Sequence, residues 1–588
     1  MSLQRSQIFP EAELPAATEL MEEGRCLARH ATLGSCPFLT AYGVKSESEY
    51  KRRRMSEGTI MLHAQVGYRD FAKSCQAYAE IYERIDKAGY RLDRYGICLD
   101  WSMGYPAAQR FNMPKGTGLI ISDLRDFSQL TRQAPVAPHF GDFVIGTPAS
   151  VENTMAALSA GSTSIGNLGQ YFTFRMPGWK DDIGTTAETI KAIALCAAQP
   201  VEILIHSNLD DGFAALFNDM ACSIGAVLLE RYIIDELIGG KVSHCYGHTF
   251  SDPLTRLAFQ RALAQVTNTP GSMIYGNTTI FGEGEVENYA NLASYLLVDI
   301  VAQQLYPTGQ GLNPVPVTEA IRIPEIDEIV AAHLFANRLI LRASGYEALF
   351  DLEAADRIAA QLVEGGQQFK RQVLQGLAEA GIDVSNPFEM LLAIRRLGAR
   401  RLEELFGPGK LNGEYISKRK PLVKATTVAA LDVQADELVA GLDQTERDHL
   451  RRSSLVGCVT CSDVHEYGKI LVEAVLGRLG IQVIDAGVSA DPEAVAKRAK
   501  ASSVDFIAVS TYNGVALDYL KTLRSEIGRL GLEVPIFIGG KLNQIPSDSP
   551  SSLPSDVSAE LQKLGAVVCH RVEDMLVELV RMATTKPS

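Results

Sequence analysis

A chain of 588 residues is too long for one hydrophobic core, since cores rarely grow past about 300 residues, and more than one domain is predicted. Its 46% hydrophobic and 21% charged residues exclude intrinsic disorder, and a formal charge of −14 argues against nucleic acid or an anionic membrane as partner. Ten cysteines scattered from Cys26 to Cys569 do not form a disulfide framework. With no basic, apolar leader and no apolar run of about 20 residues, the expectation is a cytoplasmic protein with reduced thiols.

In chain order, residues 1–55 read as a helical N-terminal extension. Across 56–345, strand-like runs each lead into helical patterns: Thr59–Leu62, Gly118–Ile121, Phe143–Ile145, Val201–Ile205, Lys241–His244 and Ser272–Tyr275. Loops rich in Gly, Ser, Asn and His follow many of them, as at Gly161–Gly169 and His244–His248. Units of this kind over such a length predict a (β/α)8, TIM-like barrel, with chemistry on the loops after the strands. His63, Gln65, Tyr105, Asn167, Arg175, His206, Tyr246 and His248 lie on or beside predicted strand ends and are the candidate substrate contacts. Each competes with a purely structural hydrogen bond, or for Arg175 a solvated charge. A helical segment and a Gly/Pro/Lys-rich linker fill 346–449.

From 450 to 588 short apolar runs alternate with helical ones. Strands are predicted at Leu455–Val459, Gln482–Ile484, Phe506–Ser510, Pro535–Ile538 and Val567–Val568, with Asp491-Pro492 as N-cap and first-turn proline of a helix. This βαβα rhythm predicts a doubly wound, flavodoxin-like parallel sheet, in which ligands sit outside the carboxyl ends of the strands. Three features fall there: Asp463–Gly468, Ser510-Thr511-Tyr512 and Gly539-Gly540; a turn-rich surface loop is expected at Ser547–Asp556.

The first of these, Asp463-x-His465-x-x-Gly468, stands between a strand and a helix. An imidazole there can ligate a metal through one ring nitrogen while the carboxylate two residues earlier fixes its tautomer. Cys458 and Cys461 form a C-x-x-C with no second pair to complete a zinc site, and read as strand filler.

Together these elements resemble the cobalamin-binding domain of vitamin-B12 enzymes. The resemblance implies that His465 is the lower axial ligand of cobalt and Asp463 its hydrogen-bonding partner. Gly468 would leave room for the cofactor at the helix start, and Ser510, Thr511, Gly539 and Gly540 would then meet its displaced dimethylbenzimidazole tail. The family's Ser-x-Leu reads Ser510-Thr511-Tyr512 here. A flavodoxin-like domain whose histidine merely caps a helix is the bland alternative.

The larger segment resembles the barrel subunit of the glutamate mutase (methylaspartate mutase) family. The residues that carry this are Gly146-Thr147-Pro148, Ala160-Gly161 with Thr163-Ser164 and the turn to Gly169, Gly240-Lys241 with Tyr246-Gly247, and Glu319-Ala320-Ile321 before Ile323-Pro324. The resemblance implies that Glu319 contacts the adenosyl ribose. The family lysine four positions earlier is Val315, and the three arginines that hold a dicarboxylate match Gln65, Gly104 and Val144. The family's ammonium-binding carboxylate matches Gly166 or Asn167, and a tyrosine after it Phe172. Glutamine and valine cannot copy a bidentate arginine fork, so glutamate is not the expected substrate. What the resemblance implies is an adenosylcobalamin-dependent carbon-skeleton mutase, homodimeric or larger, acting on a small carboxylate or amino acid through Gln65, Asn167, Arg175, His206, Tyr246 and His248. A methylcobalamin-dependent methyltransferase and a non-enzymatic cobalamin carrier or sensor are the alternatives.

Overall fold

The computed structural model describes every residue except 1–2, 114, 117, 248–249, 251, 283, 320–321, 414, 416, 464, 513, 545–554 and 586–588. The chain forms two compact units, one of residues 1–113, 118–172 and 180–426 and one of 114–117, 173–179 and 427–588. Among the described residues no helix is long and apolar enough to cross a membrane.

The first unit is a (β/α)8 barrel. Its parallel strands are β1 (Met61–Val66), β2 (Arg94–Ile97), β3 (Ala137–Phe140), β4 (Ser164–Ile165), β5 (Leu204–Asn208), β6 (Val242–Cys245), β7 (Met273–Ile274) and β8 (Gly311–Leu312). They pair in the order β6-β5-β4-β3-β2-β1-β8-β7, and a single bridge between Tyr246 and Ile274 joins the two ends. Helices on the outside start at aspartate N-caps: Asp70 accepts from the Lys73 amide, Asp219 from Ala221 and Asp252 from Thr255.

Two expected strands are absent. Leu119, within Gly118–Ile121, makes only an isolated bridge to Leu99, and Phe143–Ile145 lies in the loop after β3, where Phe143 has a φ of 56°. The strands that replace them, β2 (RYGI) and β3 (APHF), carry buried polar residues toward the barrel axis and so lack a continuous apolar run. β4, β7 and β8 are two residues each, too short for any periodicity to show.

The N-terminal segment is part of this unit rather than an appendage. In the helix Glu47–Ser56, Lys51 is buried and donates to the carbonyls of Gly271, Ser272 and Gly309, while Glu47 pairs with Arg94 of β2 at 2.7 Å. Burial first, then the Arg94 charge against the opposing pull of Glu47, brings the Lys51 ammonium down to about 8.

Residues 346–426 also belong to the barrel unit. The helix Leu352–Glu379 lies along Met220–Arg231, and glycines on both make the close approach: a Cβ at Gly225 would overlap Phe369, and one at Gly366 would come 2.7 Å from Ile224. Gly225→Ala is expected to cost about 1–3 kcal/mol through overpacking, read as a lower denaturation midpoint for the barrel.

The second unit starts near residue 427, upstream of the expected boundary at 450. Helices Thr426–Ala440 and Gln444–Arg452 supply Leu431, Ala435 and Leu450 to the core of the C-terminal sheet. That sheet is parallel: β9 (Val456–Cys461), β10 (Gln482–Asp485), β11 (Phe506–Thr511), β12 (Ile536–Gly540) and a last strand Val567–Cys569, in the order β10-β9-β11-β12-last. Leu471, Val475, Met575 and Leu579 cover one face; Val495, Ala499, Leu520 and Leu523 cover the other. This is the doubly wound arrangement, and the order in which strands are added reverses between β9 and β11. Of the expected loop Ser547–Asp556, only Ser555 and Asp556 lie within the described residues, paired with Gln544 and Asn543.

Candidate functional site

At the switch point, the carboxyl ends of β9 and β11 stand side by side, with Cys461 opposite Ser510 and Ser510 opposite Gly539. The turn after β9 holds Asp463 buried and His465 one-third exposed. One Asp463 oxygen accepts from the His465 amide (2.9 Å) and ring Nδ1 (2.8 Å); the other accepts from the amide of Tyr512 (2.8 Å). A carboxylate only accepts, so Nδ1 carries the proton and the ring's lone pair is on Nε2. Burial opposes ionisation of Asp463, but its hydrogen bonds with the His465 ring and these amides outweigh that and hold the carboxyl below its ordinary value. The Tyr512 ring lies against the imidazole, centroids 4.5 Å apart at 35°.

The glycines of this site serve close packing within the protein. A Cβ at Gly468 would sit 2.6 Å from Ser510 Oγ, and one at Gly540 would overlap the carbonyl oxygen of Thr511. Gly540 also has a φ of 101°, open to glycine alone at low cost. Gly540→Ala is therefore expected to displace the β11–β12 strand ends and weaken corrinoid uptake, measured by titration with hydroxocobalamin. Thr511 is buried, and its carbonyl accepts from the Lys541 amide. Cys458 and Cys461 lie three residues apart on one strand and so face opposite sides of the sheet. No group of three or more potential metal ligands occurs among the described residues.

The barrel interior is the second candidate site. A relay runs along it from the N-terminal helix: Glu47 to Arg94, Arg94 to His63 Nδ1 (3.1 Å), His63 Nε2 to Gln65 Oε1 (2.8 Å), and Gln65 Nε2 to Cys98 Sγ (2.9 Å). Arginine only donates, so His63 must accept at Nδ1 and donate from Nε2, which fixes the Gln65 amide. His139 and His206 stand edge to face, centroids 4.7 Å apart. His139 Nδ1 meets the Ser164 carbonyl at 3.0 Å, and His206 Nδ1 meets Ser272 Oγ at 2.7 Å. Burial first, then the Arg94 charge, holds all three imidazoles far below the usual histidine range, so they are neutral.

At the carboxyl end, Asn167 Oδ1 accepts from the amides of Gly169 and Asn208, and the side chains of Asn167 and Asn208 both donate to Asp211 Oδ2 at 2.9 Å. Gln170 donates to Asp142. Glu319 is half-buried and, with Cys98, Asp142 and Asp211, bears electrostatically on Tyr275.

Gln65, Asn167, His206 and Glu319 thus lie on the barrel axis or at its mouth. Tyr246 does not: it closes the barrel by its bridge to Ile274, and its hydroxyl donates to Gln260 on an outer helix. Arg175 falls in the segment 173–179, which belongs to the second unit. His248, Ala320 and Ile321 lie outside the described residues. Asp142, Asp211, His139 and Arg94 were not candidates. Asp142 was hidden by the misplaced strand 143–145, whereas the Asn208–Gly212 run after Val201–Ile205 was a legible signal for Asp211.

Residues 454–579 match the family model of the B12 binding domain. A cobalamin-binding protein from Desulfitobacterium hafniense DCB-2, known from a crystal structure, is 18% identical over 26% of this chain and 70% of that one, with a TM-score of 0.20. The match to the B12 binding domain spans the whole sheet from β9 onward, including the Asp463–His465 pair, and the C-terminal part of this chain is a cobalamin-binding domain.

Proposed function

We propose that this chain is an adenosylcobalamin-dependent radical carbon-skeleton mutase, an isomerase whose barrel holds the substrate and whose C-terminal domain holds the cofactor. The observation that carries cofactor binding is the Asp463–His465 pair, set at the switch point of a sheet that matches the B12 binding domain. Its geometry suits a corrinoid: Nδ1 is engaged by a buried carboxylate, which leaves Nε2 as the coordinating nitrogen, on a ring exposed enough to be reached. Bound adenosylcobalamin supplies a cobalt–carbon bond that can break homolytically.

The chain's own groups would orient the substrate and keep water from it. Gln65 is aimed by the Arg94–His63 relay, and Asn167 is fixed by three hydrogen bonds. Neutral imidazoles at His139 and His206 add polar contacts without charge. The absence of arginines at positions 65, 104 and 144 supports a substrate other than glutamate.

A methylcobalamin-dependent methyltransferase is the second reading. The two helices ahead of the cobalamin-binding sheet stand where such an enzyme carries a helical cap, but they are few for one. The test is to supply apoprotein with adenosylcobalamin or methylcobalamin and follow cofactor spectra and turnover. Adenosyl-dependent isomerisation supports the first reading, methyl transfer the second, and tight binding without either a carrier. Asp463→Asn is expected to lower cobalamin affinity about 10–100-fold, as loss of a partner that orients a metal ligand does, checked by equilibrium titration.

A further inference from the structure

The barrel's carboxyl end gathers buried hydrogen-bonding groups. Glycines at 96, 141, 166 and 311 make room for the histidine layer to pack against the strands. A Cβ at Gly166 would come 2.5 Å from the His206 ring, one at Gly311 3.2 Å from His63 Cβ, and one at Gly141 2.9 Å from His139 Nε2. That last contact shows His139 Nε2 leaning up its strand toward Gly141, at the carboxyl end. His139 is 1% exposed, and its Nε2 has no hydrogen-bond partner. Because Nδ1 is spent on the Ser164 carbonyl, Nε2 is a bare acceptor. Such a buried, unsatisfied lone pair costs free energy unless a ligand donor meets it.

Asp142 follows three residues later in the loop after β3, where the charge of Asp211 acts on it. Burial first, then the nearby Asp211 charge, pushes the Asp142 carboxyl up to about 7, a shift that a cation bound between them would reverse. Asn313 follows β8 on the same inward face as Gly311, is 3% exposed, and has an unpartnered amide nitrogen, Nδ2. Arg94, farther down the axis, is occupied by Glu47, His63 and Ser164.

We propose that this mouth binds a small primary amine carrying a second, acceptor group, its ammonium held by Asp211, Asp142 and His139 Nε2 and its acceptor group by Asn313. The inference deepens the mutase reading, because it names the class of substrate the barrel would take. It assigns the chemistry to an ammonium end rather than a dicarboxylate.

The test uses the full chain loaded with hydroxocobalamin, titrated calorimetrically with 4-aminobutanoate, n-butylamine, butanoate and 4-acetamidobutanoate. Expected are binding of 4-aminobutanoate, weaker binding of butylamine, and none of the two probes lacking a protonated amine. Asp211→Asn and His139→Phe should each weaken 4-aminobutanoate by about tenfold or more. Equal binding of butanoate, no amine binding at millimolar concentration, or unchanged affinity in both variants would overturn the proposal. Asp142→Asn replaces Asp211→Asn if the latter does not fold, judged by circular dichroism. Cobalt coordination is read on the same samples by electron paramagnetic resonance of the reduced cofactor. Loss of a histidine nitrogen signal there with amine binding intact would sink the mutase reading alone; the reverse pattern would sink only this one.

Discussion

His465→Ala is expected to remove the nitrogen hyperfine splitting from the Co(II) spectrum of bound cobalamin and to lower affinity by more than Asp463→Asn does. The reason is geometric. Asp463 is buried beneath the strand ends and is held by the amides of residues 465 and 512 whether or not the ring is present, so the turn should keep its shape. Removing the ring leaves that carboxylate in place but takes away the coordinating Nε2. Tyr512, stacked on the imidazole, would lose its neighbour without losing its backbone bond to Asp463. Restoring the ligand with free imidazole in solution should bring back the splitting, which a merely structural histidine would not allow. Unchanged affinity and an unchanged spectrum in the variant would remove His465 from the site.

Arg256→Met is expected to destabilise the barrel by about 3–5 kcal/mol, the usual cost of breaking a buried ion pair from one side. Arg256 is 1% exposed and forks onto Asp299 at 2.5 and 2.7 Å. Its remaining donors go to the carbonyls of Gly247, Phe250 and Tyr275, so one guanidinium ties the loop after β6 to the end of β7. Those are the strands joined by a single bridge. Without the guanidinium, the Asp299 carboxyl loses its partner in the interior and three carbonyls lose a donor. Arg256→Lys should recover little, since one ammonium cannot reproduce the planar fork. Urea unfolding followed in parallel with cobalamin absorbance checks this: the barrel transition should move to lower urea while corrinoid binding by the C-terminal domain persists.

The sequence was most informative where structure is local and apolar. The C-terminal strands end within about two residues of their predicted positions, because their apolar runs are short and bounded by turn signals, and the central ones, Val456–Cys461, Phe506–Thr511 and Ile536–Gly540, are largely buried. Asp491 caps its helix as read, its carboxylate accepting from the amide of Glu493. The D-x-H-x-x-G turn likewise closes on itself, so its hydrogen bonds could be anticipated from spacing alone.

The barrel interior was decided by tertiary structure. Its strands carry arginine, histidine and glutamine inward, which erases the apolar signal, and three are two residues long. Tyr246 looked like a site residue in one dimension and proved to be the closing bridge, while His139, which no motif singled out, proved to be buried in the polar layer. Hydrogen bonds between residues near in sequence can be read from spacing. The polar layer of this barrel joins residues 47, 94 and 164, or 206 and 272, and only closure of the eight strands brings those together.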